Sequence, residues 1–258
     1  MAGGAALITG ASSGIGAELA KLCAAAGFKL VLVARSTGKL EELAASLASL
    51  HGIEARVMAA DLSDDAAPER IFAQTRDSPV EILINNAGFG LRGAFAETDW
   101  AAEVRLLQVN VSALAHLTKL FLLPMIGRGA GRILNVASTA AYVPGPFMAM
   151  YYASKAFVLS FSESVANEVQ GTGVTVTVLC PGPTRTGFER AAGVSDTKLF
   201  HGPVMQAAEV ARQGFDAMMA GKVEVIAGAR NRWMMRGSRL VPRAMLAGTV
   251  RRLNSNVK

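Results

Sequence analysis

Residues 5–16 read Ala-Ala-Leu-Ile-Thr-Gly-Ala-Ser-Ser-Gly-Ile-Gly, an apolar run followed at once by a glycine-rich turn. Gly10, Gly14 and Gly16 allow the backbone to turn tightly and to come close to a bound group. The helical pattern that follows, Ile15–Ala26, presents free N–H groups and the positive end of its dipole to a phosphate. Glycine-rich turns also occur where no ligand binds. The position of this one, between a first strand and a first helix, favours a bound pyrophosphate.

Apolar runs alternate with helical patterns along most of the chain. The runs are continuous rather than alternately polar and apolar, which is typical of strands buried on both faces. Repetition of strand, helix and strand predicts a single α/β domain with a doubly wound, Rossmann-like parallel sheet and helices on both faces. Ligands of such sheets bind beyond the carboxyl ends of the strands. The predicted strands are Ala5–Thr9, Lys29–Ala34, Ala55–Ala59, Ile82–Asn85, Arg132–Ala137, Val174–Cys180 and Val223–Ala227, and the predicted helices include Ile15–Ala26, Lys39–Leu50, Trp100–Ile126 and Tyr151–Val169.

The composition limits the class of protein. The chain has 258 residues, of which 51% are hydrophobic, enough for the core of one sizeable domain. No uncharged apolar run reaches the roughly 18 residues of a membrane span, and the N-terminus lacks the basic region of a secretory signal. Cys23 and Cys180 lie in apolar patterns, which favours buried free thiols in a reducing compartment. No cluster of His, Cys and carboxylates suggests a metal. We therefore expect a cytoplasmic protein.

Several motifs occur in a fixed order after the glycine-rich turn. The turn has the spacing G-x-x-x-G-x-G, and Asn85-Asn86-Ala87-Gly88 follows the fourth predicted strand. Further along the chain come Asn110, Ser138, the pair Tyr151-x-x-x-Lys155, Pro181-Gly182 and Thr186. Together they resemble the short-chain dehydrogenase/reductase family from about residue 5 to about residue 230, with no departure at a catalytic position. The resemblance implies an oxidoreductase that transfers a hydride between a nicotinamide and a carbonyl or alcohol.

Tyr151 and Lys155 are the centre of the expected catalytic group. Residues four apart share one face of a helix, so the two side chains can meet. A nearby ammonium lowers the pKa of a phenol, which allows Tyr151 to act as the acid in reduction or the base in oxidation. Ser138 can donate to the substrate oxygen where charge develops. The resemblance adds a bond from Lys155 to the nicotinamide ribose and a water held by Asn110.

Each of these residues has a plain structural alternative. A Tyr-x-x-x-Lys pair occurs by chance on many helices, and a serine at a strand end is often a cap. It is their combination with the glycine-rich turn that favours catalysis. Tyr152 competes for the role of the acid, but it lies about 100° around the helix from Tyr151, away from Lys155.

The end of the second strand predicts which nicotinamide binds. It reads Val33-Ala34-Arg35-Ser36, without the acidic residue that would bond a ribose diol and repel a 2′-phosphate. Arg35 suits a phosphate, so we expect NADP(H), although Arg35 could also be a solvated residue at a helix start. Asp61 and Leu62 resemble the family's adenine-contacting pair, or Asp61 is a turn residue before a helix capped by Ser63. The expected cofactor contacts are Gly10, Ser12, Ser13, Gly14, Ile15, Gly16, Arg35, Asp61, Leu62, Asn86, Ala87, Gly88, Tyr151, Lys155, Pro181, Gly182 and Thr186.

The substrate is expected to be an apolar ketone, aldehyde or secondary alcohol that contacts Ser138 and Tyr151. Apolar residues follow the fourth, fifth and sixth strands, and the long irregular segment 183–204 is a candidate lid. These side chains could instead simply pack the lid on the core. A dinucleotide-binding sensor or scaffold with little turnover is the alternative to an enzyme, and the intact Ser138, Tyr151 and Lys155 favour the enzyme. Family members commonly pair through the long helices, so the resemblance implies a homo-oligomer, unless the C-terminal segment covers those faces and leaves a monomer.

The C-terminal segment carries the positive charge. Residues 222–258 hold nine basic residues and one acidic residue, which leaves −2 for residues 1–221 of the net +6. No nucleic-acid motif accompanies the charge, so nucleic acid is not expected as a partner. We divide the chain into a dinucleotide-binding catalytic domain, 1–229, and a basic amphipathic extension, 230–258. The extension either lies on an anionic membrane or packs beside the substrate cleft, and Gly237 and Pro242 favour packing because they interrupt a long helix.

Overall fold

Seven parallel strands form the central sheet of the computed structural model, which describes residues 4–255. The order of the strands across the sheet is β3-β2-β1-β4-β5-β6-β9. A separate two-stranded parallel pair joins β7 to β8. The strands are β1 (Ala5–Thr9), β2 (Lys29–Ala34), β3 (Ala55–Ala59), β4 (Val80–Asn85), β5 (Gly131–Val136), β6 (Val174–Cys180), β7 (Thr184–Arg185), β8 (Met205–Gln206) and β9 (Glu224–Ile226).

The continuous apolar character of the strands is explained by helices on both faces of the sheet. Leu7 in β1 aligns with Val31 in β2 and Leu83 in β4, and all three are buried. The helices are α1 (Gly14–Ala25), α2 (Thr37–His51), α3 (Ala67–Gln74), α4 (Trp100–Leu107), α5 (Leu114–Arg128), α6 (Ala149–Glu168), α7 (Phe188–Ala191), α8 (Ala207–Met219), α9 (Ala229–Ser238) and α10 (Arg243–Leu253). The predicted doubly wound α/β fold is confirmed.

The predicted helix Trp100–Ile126 is a composite of three segments. Asp99 begins α4 by accepting hydrogen bonds from the backbone N–H groups of Ala101 and Ala102. A π-helical segment, Gln108–Ala113, separates α4 from α5. Over its full length, Trp100–Arg128, this helix is long and apolar enough to cross a membrane. Its apolar residues include Leu117, which is buried in the core beside the sheet.

The order of the strands places a crevice at the carboxyl edge of the sheet. The chain winds outward through β2 and β3 from β1, and then crosses back to β4 on the other side of β1. The loops after β1 and β4 therefore diverge at this edge, which is the point where open α/β sheets bind ligands. The short pair β7–β8 brings together the two ends of the predicted lid, since Thr184 aligns with Met205.

Candidate active site

A single cleft of about 1670 Å³ runs along the carboxyl edge of the sheet. It brings together nearly all the residues that the sequence singled out. The predicted site residues that line it are Gly10, Ser12, Ser13, Gly14, Ile15, Arg35, Asp61, Leu62, Asn86, Ala87, Gly88, Ser138, Tyr151, Lys155, Pro181, Gly182 and Thr186. The two that do not line it are Gly16 and Asn110.

Hydrogen bonds connect the glycine-rich turn to the loop after β4. The Thr9 hydroxyl accepts hydrogen bonds from the backbone N–H groups of Asn86, at 3.0 Å, and Ala87, at 3.1 Å. In return, Asn86 Nδ2 donates to the carbonyl oxygens of Thr9, at 2.9 Å, and Gly10, at 3.1 Å. Gly10 has φ +65°, and a Cβ at this position would lie 2.9 Å from the Ala87 Cα atom. These bonds hold two walls of the cleft together.

Gly16 does not line the cleft but packs against the glycine-rich turn. A Cβ on Gly16 would lie 2.4 Å from both Asn86 Nδ2 and the Gly10 carbonyl oxygen. Only a glycine therefore lets α1 pack this closely against the turn that precedes it. Gly16 is buried beneath the turn, which gives it a packing role, and its direct contact with a cofactor stays a prediction.

The start of α1 fits a phosphate group. Ser13 is the N-cap residue of α1, but its side chain makes no capping hydrogen bond to the helix. The first N–H groups of a helix need partners from outside the helix, and Ser12, Ser13, Gly14 and Ile15 all line the cleft. Uncapped donors, a positive dipole end and a glycine cradle together suit the pyrophosphate of a dinucleotide.

Ser138, Tyr151 and Lys155 meet on the wall of the cleft beside this cradle. Ser138 follows β5, and its hydroxyl accepts from the Ala140 N–H at 3.1 Å and donates to the Pro181 carbonyl at 3.4 Å. Lys155 is buried, with Nζ 5.9 Å from the centroid of the Tyr151 ring and 2.9 Å from the Val136 carbonyl oxygen that accepts its hydrogen bond. The predicted sharing of one helix face by Tyr151 and Lys155 is observed.

Burial governs the proton affinities of this group. It lowers the pKa of Lys155 from 10.5 to about 8. Burial raises the pKa of Tyr151 above its ordinary value, and the Ser138 hydroxyl beside the phenol partly offsets the rise in pKa. The expected lowering of the Tyr151 pKa by Lys155 is not observed in the protein alone, where desolvation decides the direction of the shift. Tyr151 holds its proton at neutral pH, the form that an acid in carbonyl reduction requires.

The neighbouring tyrosine is turned away from this group. Tyr152 is buried, and its hydroxyl donates to Asn254 Oδ1 at 3.4 Å. The rings of Tyr151 and Tyr152 meet edge to face with their centroids 6.0 Å apart. The local arrangement therefore agrees with the sequence argument that separated Tyr152 from Lys155.

Asn110 lies in the π-helical segment and is fully buried. Its Oδ1 accepts from the Phe89 N–H at 3.0 Å, while Nδ2 donates to the Phe89 carbonyl at 2.9 Å and to Ser154 Oγ at 3.1 Å. The side chain therefore clamps the loop after β4 instead of lining the cleft. Its Oδ1 still lies near Lys155, because a Cβ on Gly88 would be 3.0 Å from that oxygen and 3.3 Å from Lys155 Nζ. π-Helical segments often occur at functional sites.

At the other end of the cleft, two cations face the space beyond β2. Arg35 is joined there by Ser36 and Lys39, which sequence reasoning did not assign to the site. Lys39 lies in the first turns of α2, four residues after Arg35, a spacing that could have indicated it. Asp61 Oδ1 accepts from the Ser63 N–H at 2.9 Å and from the Ser63 hydroxyl at 2.8 Å, and these bonds lower the pKa of Asp61.

This bond pattern makes Asp61 a turn residue that also lines the cleft. The helix that Ser63 was expected to cap begins later, at Ala67. The turn role predicted for Asp61 is observed, whereas its contact with an adenine, together with that of Leu62, stays a prediction.

The opposite end of the cleft is largely apolar, although the predicted lid also brings Arg190 and Lys198 to the cleft. Residues of the predicted lid that line this end are Phe188, Val194, Leu199 and Phe200, and Val143 and Met148 join them. The Phe188 ring contacts the Tyr151 ring at 5.3 Å between centroids. The remaining wall comes from α9, α10 and the turn between them through Met234, Met235, Val241, Leu246, Val250 and Leu253. The sequence placed these helices beside the cleft only as one of two alternatives.

The residues therefore fit a nicotinamide dinucleotide. The glycine cradle and the start of α1 would hold its pyrophosphate, Arg35 and Lys39 would face its adenosine end, and Tyr151 and Lys155 would lie beside its nicotinamide half. Among residues 4–255, no group of three or more His, Cys, Asp or Glu residues is placed to hold a metal ion.

Comparison with known proteins identifies the class. The family model for short chain dehydrogenases matches residues 4–195. The ketoacyl reductase HetN of a Nostoc species is 32% identical over 212 residues, which cover 78% of this chain and 74% of that protein. This chain belongs to the short-chain dehydrogenase/reductase family. It is an oxidoreductase of a family that binds nicotinamide dinucleotides.

Solved structures agree with this placement. A short-chain dehydrogenase from Sphingobium yanoikuyae in complex with NADPH is similar, with a TM-score of 0.83 and 33% identity over 92% of this chain and 94% of that chain. A short-chain dehydrogenase/reductase from Burkholderia phymatum in complex with NAD has a TM-score of 0.82 and 28% identity over 91% and 92% of the two chains. Similar proteins therefore hold either dinucleotide, and the choice of cofactor depends on the residues of this chain.

Proposed function

We propose that this protein is an NADP(H)-dependent carbonyl reductase or alcohol dehydrogenase for apolar substrates. The observation that carries the proposal is the meeting of Ser138, Tyr151 and Lys155 between a glycine cradle and an apolar pocket. A sensor or scaffold would need the cradle but not an acid, a cation and a hydroxyl aimed at the same space.

Each residue of the group has a distinct role in this proposal. A bound nicotinamide would supply the hydride in reduction and accept it in oxidation. Ser138 donates a hydrogen bond to the substrate oxygen as negative charge develops there. Tyr151 gives its proton to that oxygen in reduction and takes it back in oxidation. Lys155 holds the nicotinamide ribose and, as an ammonium, stabilises the phenolate that remains after proton transfer. Asn110 positions the loop after β4 next to Lys155.

The apolar lining defines the substrate class. Phe188, Met234 and Val250 contribute to a pocket that favours aliphatic, aromatic or lipid-like carbonyls over charged ones. A panel of apolar and polar ketones and aldehydes, followed by the absorbance of NADPH, tests the proposal. Turnover of apolar members is expected, and a protein that binds NADPH but reduces none of them would be a sensor or scaffold.

Arg35 is proposed to select NADP(H) through the 2′-phosphate. The Arg35→Ala variant is expected to bind NADPH more weakly by roughly 1–3 kcal/mol, the range for a charge-assisted hydrogen bond. NADH binding should change little, because NADH lacks the phosphate. Fluorescence titration of both cofactors measures the effect, with Arg212→Ala at an exposed position of α8 as a matched control. An equal loss of affinity for NADPH and NADH in Arg35→Ala would contradict this role.

We also propose that the protein forms a homo-oligomer in the cytoplasm. Trp100, Val104 and Leu123 on the composite helix and Phe157 on α6 are large apolar side chains exposed to solvent. Phe157 stacks on Phe161 with the ring centroids 5.5 Å apart. Exposed apolar faces of this kind are typical of subunit contacts.

The C-terminal helices are proposed to touch an anionic membrane at their outer surface. Residues 230–255 contain seven arginines and no acidic residue. Trp233, Leu240 and Met245 are 76%, 89% and 65% exposed. Other residues of the same helices face the cleft, so a contact through the outer surface leaves the packing on the domain intact. Basic residues near such a membrane contribute about 1 kcal/mol each, and an apolar substrate could enter from the lipid.

Vesicle sedimentation tests the membrane contact. The full chain is expected to sediment with vesicles of phosphatidylcholine and phosphatidylglycerol, but not with phosphatidylcholine alone, and to be released by high salt. Combined Trp233→Ser, Leu240→Ser and Met245→Ser substitutions should weaken sedimentation, whereas Leu50→Ser, at an exposed leucine of α2, should not. Binding that ignores lipid charge, or an absence of binding, would leave the outer surface without a lipid partner.

A further inference from the structure

The Asn254 side chain, which follows α10, is completely buried. A buried amide is costly unless it is hydrogen-bonded. Asn254 Nδ2 donates to the Pro146 carbonyl at 2.9 Å, and Oδ1 accepts from the Tyr152 hydroxyl at 3.4 Å. Its backbone carbonyl accepts from Arg92 Nε at 3.0 Å. One residue thus joins the loops after β4 and β5 to the helix that carries Tyr151.

The neighbours of Asn254 bind the lid. The backbone carbonyl of Leu253 accepts from the Leu199 N–H at 3.1 Å, and that of Ser255 accepts from the Lys198 N–H at 3.3 Å. Lys198 and Leu199 both line the cleft. Leu253 and Ser255 therefore hold the lid, while Asn254 between them bonds to Tyr152 of α6.

The loop that contains Pro146, the hydrogen-bond partner of Asn254, has a strained backbone. Phe147 has φ +67°, the only positive φ of a non-glycine residue among residues 4–255. Such a conformation is uncommon for a bulky side chain and persists only when the surroundings hold it in place. The Gly93 N–H donates to the Phe147 carbonyl at 2.9 Å, and the Arg251 guanidinium lies 4.8 Å from the ring centroid. The next residue, Met148, lines the cleft and directly precedes α6.

Apolar contacts also join α10 to the start of α6 and to the lid. Val250, one turn before Asn254, packs in a buried cluster with Met148, Tyr152 and the lid residue Val194. Tyr151 and Phe188 pack against this cluster. The substrate end of the cleft is therefore built from the residues around the start of α6, the lid and α10, which pack together in one cluster.

We propose that Asn254 is a positioning residue that sets the substrate wall of the active site by latching the lid to the start of α6. The proposal rests on the proposed reductase function. The polar partners of Asn254 do not include residues of the glycine-rich turn or Arg35. Loss of the latch should therefore weaken binding of the substrate and not of the dinucleotide.

Hydrogen–deuterium exchange tests the latch without relying on activity. In Asn254→Ala, lid peptides containing Lys198 and Leu199 are expected to exchange about tenfold faster than in the wild type. The reason is that the carbonyls of residues 253 and 255, which accept from these amides, are no longer held in place. Arg92→Ala removes only the side chain that binds the Asn254 carbonyl, so it tests the latch even if Asn254→Ala fails to fold, with an expected rise of about threefold. The matched control is Arg252→Ala, at an exposed position of α10, with wild-type exchange. Lid peptides that exchange at the wild-type rate in both Asn254→Ala and Arg92→Ala would contradict the proposed latch.

Kinetics then separates positioning from simple stability. Asn254→Ala is expected to raise KM for an apolar carbonyl about five- to tenfold, with a smaller change in kcat and an unchanged Kd for NADPH. Equal loss of NADPH affinity and turnover would overturn the positioning role and point to general destabilisation. Faster lid exchange in a protein that reduces no carbonyl would uphold the latch while the proposed reductase function fails.

Discussion

Tyr151→Phe is expected to lower NADPH-dependent carbonyl reduction by about 10²–10⁴-fold, the usual contribution of a positioned general acid. The substitution removes one hydroxyl and keeps the ring that contacts Phe188, so the pocket and the dinucleotide site should keep their shape. Steady-state rates with the best substrate of the panel, together with an NADPH titration, measure the effect. NADPH affinity should stay within about threefold of the wild type.

Tyr152→Phe is the matched control for this prediction. Its hydroxyl reaches Asn254 and not the group formed by Ser138, Tyr151 and Lys155, so the loss of turnover should be below about tenfold. If Tyr152→Phe abolished reduction while Tyr151→Phe retained it, the assignment of the acid would be reversed.

Lys155→Met is expected to make the protein without dinucleotide more stable at about pH 7, by on the order of 1–3 kcal/mol, while turnover is lost. Burial lowers the pKa of Lys155 to about 8 from 10.5, so the folded protein disfavours the charged form. At pH values below about 8, wild-type folding bears this whole penalty. Between about pH 8 and 10.5 the unfolded chain binds a proton that the folded protein does not, so wild-type stability rises with pH. The advantage of Lys155→Met should therefore shrink as the pH rises towards 10.

Urea unfolding at about pH 7 and pH 9.5 measures this difference in the free energy of unfolding. The hydrogen bond from Lys155 to the Val136 carbonyl is lost in the variant, which reduces its gain by about 1 kcal/mol. Lys119→Met on α5 is an exposed control with little expected change. A variant less stable than the wild type by the same amount at both pH values would show that burial of the ammonium carries no penalty.

The proposed mechanism gives a functional reason for the stability cost at Lys155. A buried cation beside a phenol costs folding free energy, but a phenolate that develops on Tyr151 in that mechanism would require it. The hydrogen bond to Val136 holds the ammonium within 5.9 Å of the Tyr151 ring before any ligand binds. The protein thus keeps the geometry of the site ready at the expense of stability.

The sequence by itself determined the sheet and the helix face that carries Tyr151 and Lys155. Continuous apolar runs mark strands buried on both sides, and the observed bounds of β1, β2, β3 and β6 are those predicted. Tyr151 and Lys155 could be paired because the helix period fixes which residues share a face. Features of this kind depend on neighbours a few residues away, and a linear pattern records them directly.

Tertiary structure alone decided the rest of the site. The partners of Asn110 and of Gly16 lie in loops that the sequence does not connect with them, so their roles as clamp and packing position were not foreseen. The pKa of Tyr151 rises because the fold removes water from the phenol, an effect that depends on burial and not on the spacing to Lys155. Asn254 meets Pro146 across 108 residues of chain. Such contacts are set by how the elements pack in three dimensions, and no local period in the sequence encodes them.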